Sequence, residues 1–190
     1  MSESTAKGPS VLTDEVKAVI GKTAERIEVG QSWGIEREGL RRFTQAIMDP
    51  DPRYWDDAFA KTTKYGQLIA PPIYVSYLSS RAQPGSEDII TRGFAENPDS
   101  DGTGGARIGG SGSLPPVPTH LKRILNGGNE IEVRQYPKLG DRIYSQAKYY
   151  SIKENVAKDG VRMLITTTET TYTNQNGEIL CILRYSLIRR

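Results

Sequence analysis

The chain has one cysteine, one histidine and no long apolar run, and each scarcity removes a class of function. A lone Cys181 excludes an internal disulfide and suits a reducing compartment. With His120 as the only imidazole, the chain cannot assemble a His/Cys metal cage, and scattered carboxylates do not make one. Nowhere do about 18 apolar residues run together, so no membrane span is expected. The polar start SESTAKGPS after Met1 lacks the apolar stretch of a secretory signal, which leads us to expect a cytoplasmic protein. Basic and acidic residues number 25 and 23, for a formal charge of +2 that gives no argument for nucleic acid. Nothing in the composition calls for a cofactor. At 190 residues the chain is long enough to bury one core without staples.

Residues 1–12 read as a flexible tail and 13–190 as a single domain. Thr13 can cap a helix that Asp14 and Glu15 favour, with Val16, Val19 and Ile20 on one face. RIEVGQSWGIE is a short strand candidate interrupted by Gly30 and Gly34. Residues 36–49 are amphipathic, with Leu40, Phe43, Ala46 and Ile47 at helical spacing, and Pro50 ends that helix. Asp51 can cap a second short helix, with Pro52 at its first position and Ala58 near its end. Pro71 and Pro72 open IYVSYLSSR, which reads as a buried helix whose wide face carries Ile73, Tyr74, Tyr77 and Leu78. Residues 82–119 are rich in Gly, Pro, Ser and Asp and far longer than an ordinary connection, so they are either disordered or a functional lid.

Four runs rich in β-branched and aromatic residues follow: NEIEVRQYP, DRIYSQAKYYSIKE, VRMLITTTETTYT and EILCILRYSLIR. Alternation in the second puts Ile143, Ser145, Ala147 and Tyr149 on one side, with Arg142, Gln146 and Lys148 on the other. Asn176-Gly177 is a hairpin signal, because both residues accept positive φ. The pattern is α+β: an antiparallel sheet wrapped around a central α-helix.

The strings DPDPRY, LIAPP, LNGGNEIEV and LGDRIYSQAKYYSIKE, in this order over roughly residues 25–190, resemble the MaoC-like hydratases and dehydratases of the hotdog fold. The match is to the N-terminal-type MaoC dehydratase domain. That resemblance implies an enoyl-CoA hydratase or 3-hydroxyacyl-CoA dehydratase working on an acyl-CoA thioester, with two hotdogs paired. Active members carry Gly-Asp-x-Asn-Pro-x-His, whose Asp and His hold the water that is added or removed. Aligned on this pattern, Asp49 takes the place of Asp, Asp51-Pro52 that of Asn-Pro, and Tyr54 that of His. A phenol with a pKa near ~10 is a poor base at neutral pH. Active members also begin the central helix with His-Gly, and the glycine N–H polarises the thioester carbonyl. Pro71 and Pro72 fill those places and have no N–H to donate.

The resemblance therefore implies the acyl-binding half of a heteromer, whose catalytic hotdog supplies the missing groups. Two other readings stay open: a homodimeric hydratase or dehydratase with an altered site, and a non-catalytic acyl-CoA binding module. For catalysis the candidates are Asp49 first, then His120 and Tyr54. For substrate binding they are Asp51, Trp55, Pro71, Pro72, Tyr74, Asn126, Gly127 and Gly128. Each also has a plain structural reading, such as Asp51 as a helix cap and Tyr54 and Trp55 as core aromatics. GTGGARIGGSG lacks the Gly-Lys-Ser/Thr ending of a phosphate loop and reads as linker.

Overall fold

Period-two alternation over the last third of the chain demands a sheet with one covered face, and the computed structural model shows what covers it. The structure describes residues 8–30, 33–79, 91, 94–95, 98 and 114–190. In chain order the elements are α1 (Asp14–Lys17), β1 (Ile27–Val29), α2 (Arg37–Ala46), a 3-10 turn (Pro52–Tyr54), α3 (Asp57–Thr62), α4 (Tyr74–Ser79), β2 (Ile124–Val133), β3 (Ile143–Val156), β4 (Arg162–Thr173) and β5 (Ile179–Arg189). The strands form one antiparallel sheet in the order β1-β3-β4-β5-β2. Helix α4 lays Tyr74, Val75 and Leu78 on Ile143, Tyr172, Leu180, Cys181 and Leu183 of the sheet. This is the expected α+β architecture.

The inward face of α4 is narrower than expected. Tyr74, Val75 and Leu78 are buried, whereas Ile73 and Tyr77 are each 41% exposed. A sheet on one side of a short helix covers only a stripe of it, and Val75 sits in that stripe. Helix α2 packs alongside, with Phe43 edge-on to Tyr74 at 5.0 Å between ring centres and tilted against Tyr77 at 5.1 Å. Leu40 is fully buried in the same core, and Ile47 is exposed. Gly39 is needed where the two helices meet, because a Cβ there would lie 2.7 Å from the Tyr74 hydroxyl.

A second core gathers Val16, Val19, Val117, Ile152 and Leu164, while Ile20 turns to solvent. Residues 8–12 differ from the expected frayed tail. Ser10 Oγ and the N–H groups of Val11 and Leu12 donate to Glu154 Oε2 at 2.8, 2.6 and 3.1 Å, and Val11 and Leu12 pack on this core. One carboxylate accepting three donors fixes a short segment that has no regular structure of its own. Residues 1–7, and most of the segment 82–119, lie outside the described residues.

Local features decide the strand details. Ile143, Ser145 and Ala147 are buried as the alternation requires. A bulge between Tyr149 and Ser151 then shifts the register, so that Ile152 takes the inward position. Strand β2 starts earlier than expected, and Asn126, Gly127 and Gly128 form a bulge inside it rather than a turn before it. In the last hairpin only Gly177 has positive φ, at 79°. The Asn174 N–H donates to Glu178 O at 3.0 Å and the Asn174 side chain accepts from the N–H groups of Asn176 and Glu178, closing a longer loop than a two-residue turn.

The corrected face of α4 has an energetic signature. Leu78→Ala should cost about 2–5 kcal/mol in urea unfolding, as expected when a fully packed leucine is truncated. Ile73→Ala should cost less than about 1 kcal/mol, because half of that side chain already meets water.

Candidate active site

The segment from Met48 to Trp55 is shaped by its own side chains. Helix α2 ends in a paired cap: the Met48 N–H donates to Gln45 O at 3.1 Å and the Asp49 N–H to Thr44 O at 3.2 Å. That closure places Met48 in the left-handed region, at φ 54°, where glycine is the usual occupant. Asp49 Oδ1 then accepts from the Asp51 N–H at 3.0 Å, and Asp51 Oδ1 accepts from the Arg53 N–H at 3.0 Å. Two successive side-chain-capped turns follow each other along the proline-spaced sequence. The helix expected from Asp51 to Ala58 is instead two elements. The 3-10 turn capped by Asp51 stops at Tyr54, and α3 starts afresh under its own cap, Asp56 Oδ1, which accepts from the Phe59 N–H at 3.1 Å.

Arg53 locks this segment to the rest of the molecule. Its guanidinium Nε donates to both Asp51 oxygens, at 3.0 and 2.8 Å, and its Nη2 pairs closely with Asp51 Oδ2. The same guanidinium lies 5.5 Å from the Tyr136 ring centre and 5.9 Å from that of Tyr54. Tyr136 meets Tyr65 edge-on at 5.6 Å, and the Ile69 N–H donates to Arg53 O at 3.2 Å. The DPDPRY segment and the LIAPP segment are thereby held together. Hydrogen bonding from Arg53, the largest influence, keeps the Asp51 carboxyl below the ordinary carboxylate range.

The predicted site residues do not gather in one place. Asp49 and Trp55 line one open groove of about 450 Å³ together with Arg41, Thr44, Gln45, Met48 and Pro50. Tyr54 points into the protein and is only 6% exposed, and burial above all pushes its phenol up to about 12. Tyr74 is buried in the core, Pro71 is buried beside it, and the oxygen of Pro72 faces the Cys181 thiol at 3.8 Å. His120 is exposed on the segment entering β2 and does not border the groove. Gly127 and Gly128 border a different depression, with Tyr150 and Arg184, and Asn126 lies in the same bulge. Among the described residues no cluster of three or more His, Cys, Asp or Glu side chains is placed to hold a metal ion.

The groove can receive a ligand that is apolar along Met48, Pro50 and Trp55 and polar at Arg41, Gln45 and Asp49. Asp49 is the carboxylate available to orient water there, and no imidazole accompanies it. At the start of α4 Pro71 and Pro72 have no backbone N–H, so the single donor that the resemblance gives active members at this place is absent. The residues that sequence reasoning missed are Arg53, Met48 and Arg41. The Asp51-x-Arg53 spacing was a legible hint of a side-chain pair; nothing in the string marked Met48 as left-handed.

Comparison with known proteins places this chain. A family model described as the FAS1-like dehydratase domain region matches residues 23–183, and the chain belongs to that family. It has the hotdog fold of MaoC-like hydratases and dehydratases. A UPF0336 protein of Saccharopolyspora erythraea is 26% identical over 161 residues, which cover 84% of this chain and 83% of the relative. Among solved structures, the ChsH1-ChsH2 complex from Mycobacterium tuberculosis matches with TM-score 0.66 and 11% identity, over 93% of this chain and 94% of that one. The HadBC (3R-hydroxyacyl-ACP dehydratase) complex from Mycobacterium tuberculosis matches with TM-score 0.57 and 17% identity, over 90% and 96%.

The Asp51–Arg53 pair predicts a pH dependence. A carboxyl whose folded pKa is depressed adds stability that is complete above its unfolded value, near ~3.9, and is lost as pH falls through the lower folded value. Wild type should therefore exceed Asp51→Asn in stability at neutral pH, and the gap should close below about pH 4. Urea unfolding of both proteins between pH 2 and 7 reads this directly.

Proposed function

We propose that this chain is the acyl-binding hotdog of a hydratase or dehydratase that acts on enoyl or 3-hydroxyacyl thioesters of CoA in the cytoplasm. A second hotdog would supply the Asp/His pair and the oxyanion donor, giving one working site per pair. The observation that carries this reading is Tyr54. It stands where the resemblance gives active members a histidine, and its phenol is buried and pushed up to about 12. A group of that basicity in that position neither takes a proton at neutral pH nor reaches a ligand in the groove beside Asp49.

The sheet edge supports a partner. Strand β2 pairs only with β5 among the described residues, and Leu125, Ile131 and Val133 on it are each about two-fifths exposed. Val133 lies opposite Cys181 of β5, whose thiol reaches Pro72 O. An uncovered apolar edge of this length is a template for pairing with another sheet. Two of the structural neighbours, ChsH1-ChsH2 and HadBC, are themselves complexes.

The test is turnover of crotonyl-CoA and of a longer enoyl-CoA by the purified chain. The isolated chain should give none, and activity should appear when it is combined with a hotdog bearing an intact Asp-x-Asn-Pro-x-His pattern. Turnover by the chain alone, abolished in Asp49→Asn, would instead establish a homodimer with an altered site. Acyl-CoA binding without turnover in every combination would leave a binding module.

A further inference from the structure

Met48 combines two features that are individually unfavourable. Its backbone is left-handed, at φ 54°, the one non-glycine residue with positive φ among the described residues. A side chain in that conformation crowds its own carbonyl, which is why glycine is favoured at this place after a helix. Its side chain is also 86% exposed, the most exposed large hydrophobic among the described residues. Packing therefore gives no compensation for the strain. The backbone turn itself closes α2 through the Met48 and Asp49 N–H groups, but glycine would make the same closure with less strain, so the exposed methionine side chain at this cleft is the feature without a structural return.

The surroundings say what the constraint serves. Met48 and the half-exposed Trp55 flank the groove of about 450 Å³ in which Asp49 sits, with Arg41 and Gln45 at its polar side. That volume falls in the range of small-molecule sites rather than of a flat protein contact. Arg41 donates to both Glu38 oxygens at 2.8 Å and to Gln45 Oε1 at 2.9 Å, and Arg42 Nε reaches the same Glu38 at 2.8 Å. Both guanidiniums are held by the Glu38 carboxylate, and with Asp49 in the groove the positive and negative charges there balance. The combination suits an amphiphile with a polar head and an apolar chain. An unbranched thioether with three rotatable bonds conforms to chains of different length.

We propose that Met48 is a specificity-determining contact for the acyl chain, held over the groove opposite Trp55 by its left-handed backbone. This inference rests on the acyl-thioester reading of the groove and names the residue that reads the chain. The thioether and the indole supply the apolar lining of the groove, and Asp49, Arg41 and Gln45 its polar lining.

The test exploits opposite signs. In a Trp33→Phe background Trp55 is the sole indole, and its fluorescence reports binding of octanoyl-CoA, with CoA alone as the control. Met48→Gly relieves the backbone strain, so its Tm should equal or exceed that of the parent. Its Kd for octanoyl-CoA should nevertheless rise at least fivefold, with the Kd for CoA unchanged. Met48→Leu keeps an apolar side chain in the strained position and should bind octanoyl-CoA within twofold of the parent. Unchanged octanoyl-CoA affinity in Met48→Gly would overturn the proposal while leaving the acyl reading intact. A lower Tm in Met48→Gly would also overturn it, since the side chain would then be a packing element. A folded parent that shows no preference for octanoyl-CoA over CoA would overturn the acyl reading itself, and this proposal with it.

Discussion

The paired contact between Asp51 and Arg53 governs the geometry of the segment that matters most here. One carboxylate caps the 3-10 turn through the Arg53 N–H and clamps the guanidinium of the same residue. The guanidinium in turn stacks against Tyr136, and the Arg53 carbonyl accepts from Ile69. Three stretches of chain distant in sequence are thus set relative to one another: the 3-10 turn, the approach to α4 and the connection between β2 and β3. Asp49 faces its groove and Tyr54 faces the core because of this arrangement. Exposed ion pairs usually contribute little, but this pair is partly shielded and doubles as a helix cap, which raises its structural weight.

Chemical consequences follow from the direction of two side chains. The carboxylate of Asp49 is in the open groove, where it can hold a water or a polar ligand group. The phenol of Tyr54 is inside, where burial strengthens its hold on its proton. Hydration of an unsaturated thioester needs a proton acceptor and a donor for the growing oxyanion. On the proposed reading the first position is a buried phenol and the second a pair of prolines, so the fold and one carboxylate are kept while the proton chemistry would come from a partner. A subunit of this kind contributes a shaped pocket and a sheet edge more readily than a complete reaction centre.

Much of the architecture was legible because it is written in local rules. Thr13 caps α1 and Asp51 caps the 3-10 turn, as their side chains predict. The alternation of Ile143, Ser145 and Ala147 gives the buried face of β3 directly. What stayed hidden depends on contacts from elsewhere. The burial of Val75 instead of Tyr77 follows from where the sheet lies under α4, and no helical period reveals that. The docking of Ser10, Val11 and Leu12 depends on Glu154, far along the chain. The motif singled out Asp49 and Tyr54, yet their opposite orientations come from the capped turns between them. The left-handed Met48 was unreadable because methionine has no preference for that conformation.

The central claim is that the residue standing in the histidine's place cannot accept a proton at neutral pH. Incorporating tyrosine labelled with carbon-13 at the phenol carbon, and assigning the Tyr54 signal with Tyr54→Phe, allows that one group to be titrated by NMR. Tyr54 should keep its proton throughout the physiological range and titrate at about 12. A Tyr54 phenol that loses its proton below about pH 8, well under its ordinary value, would contradict the account, because the chain would then carry its own base.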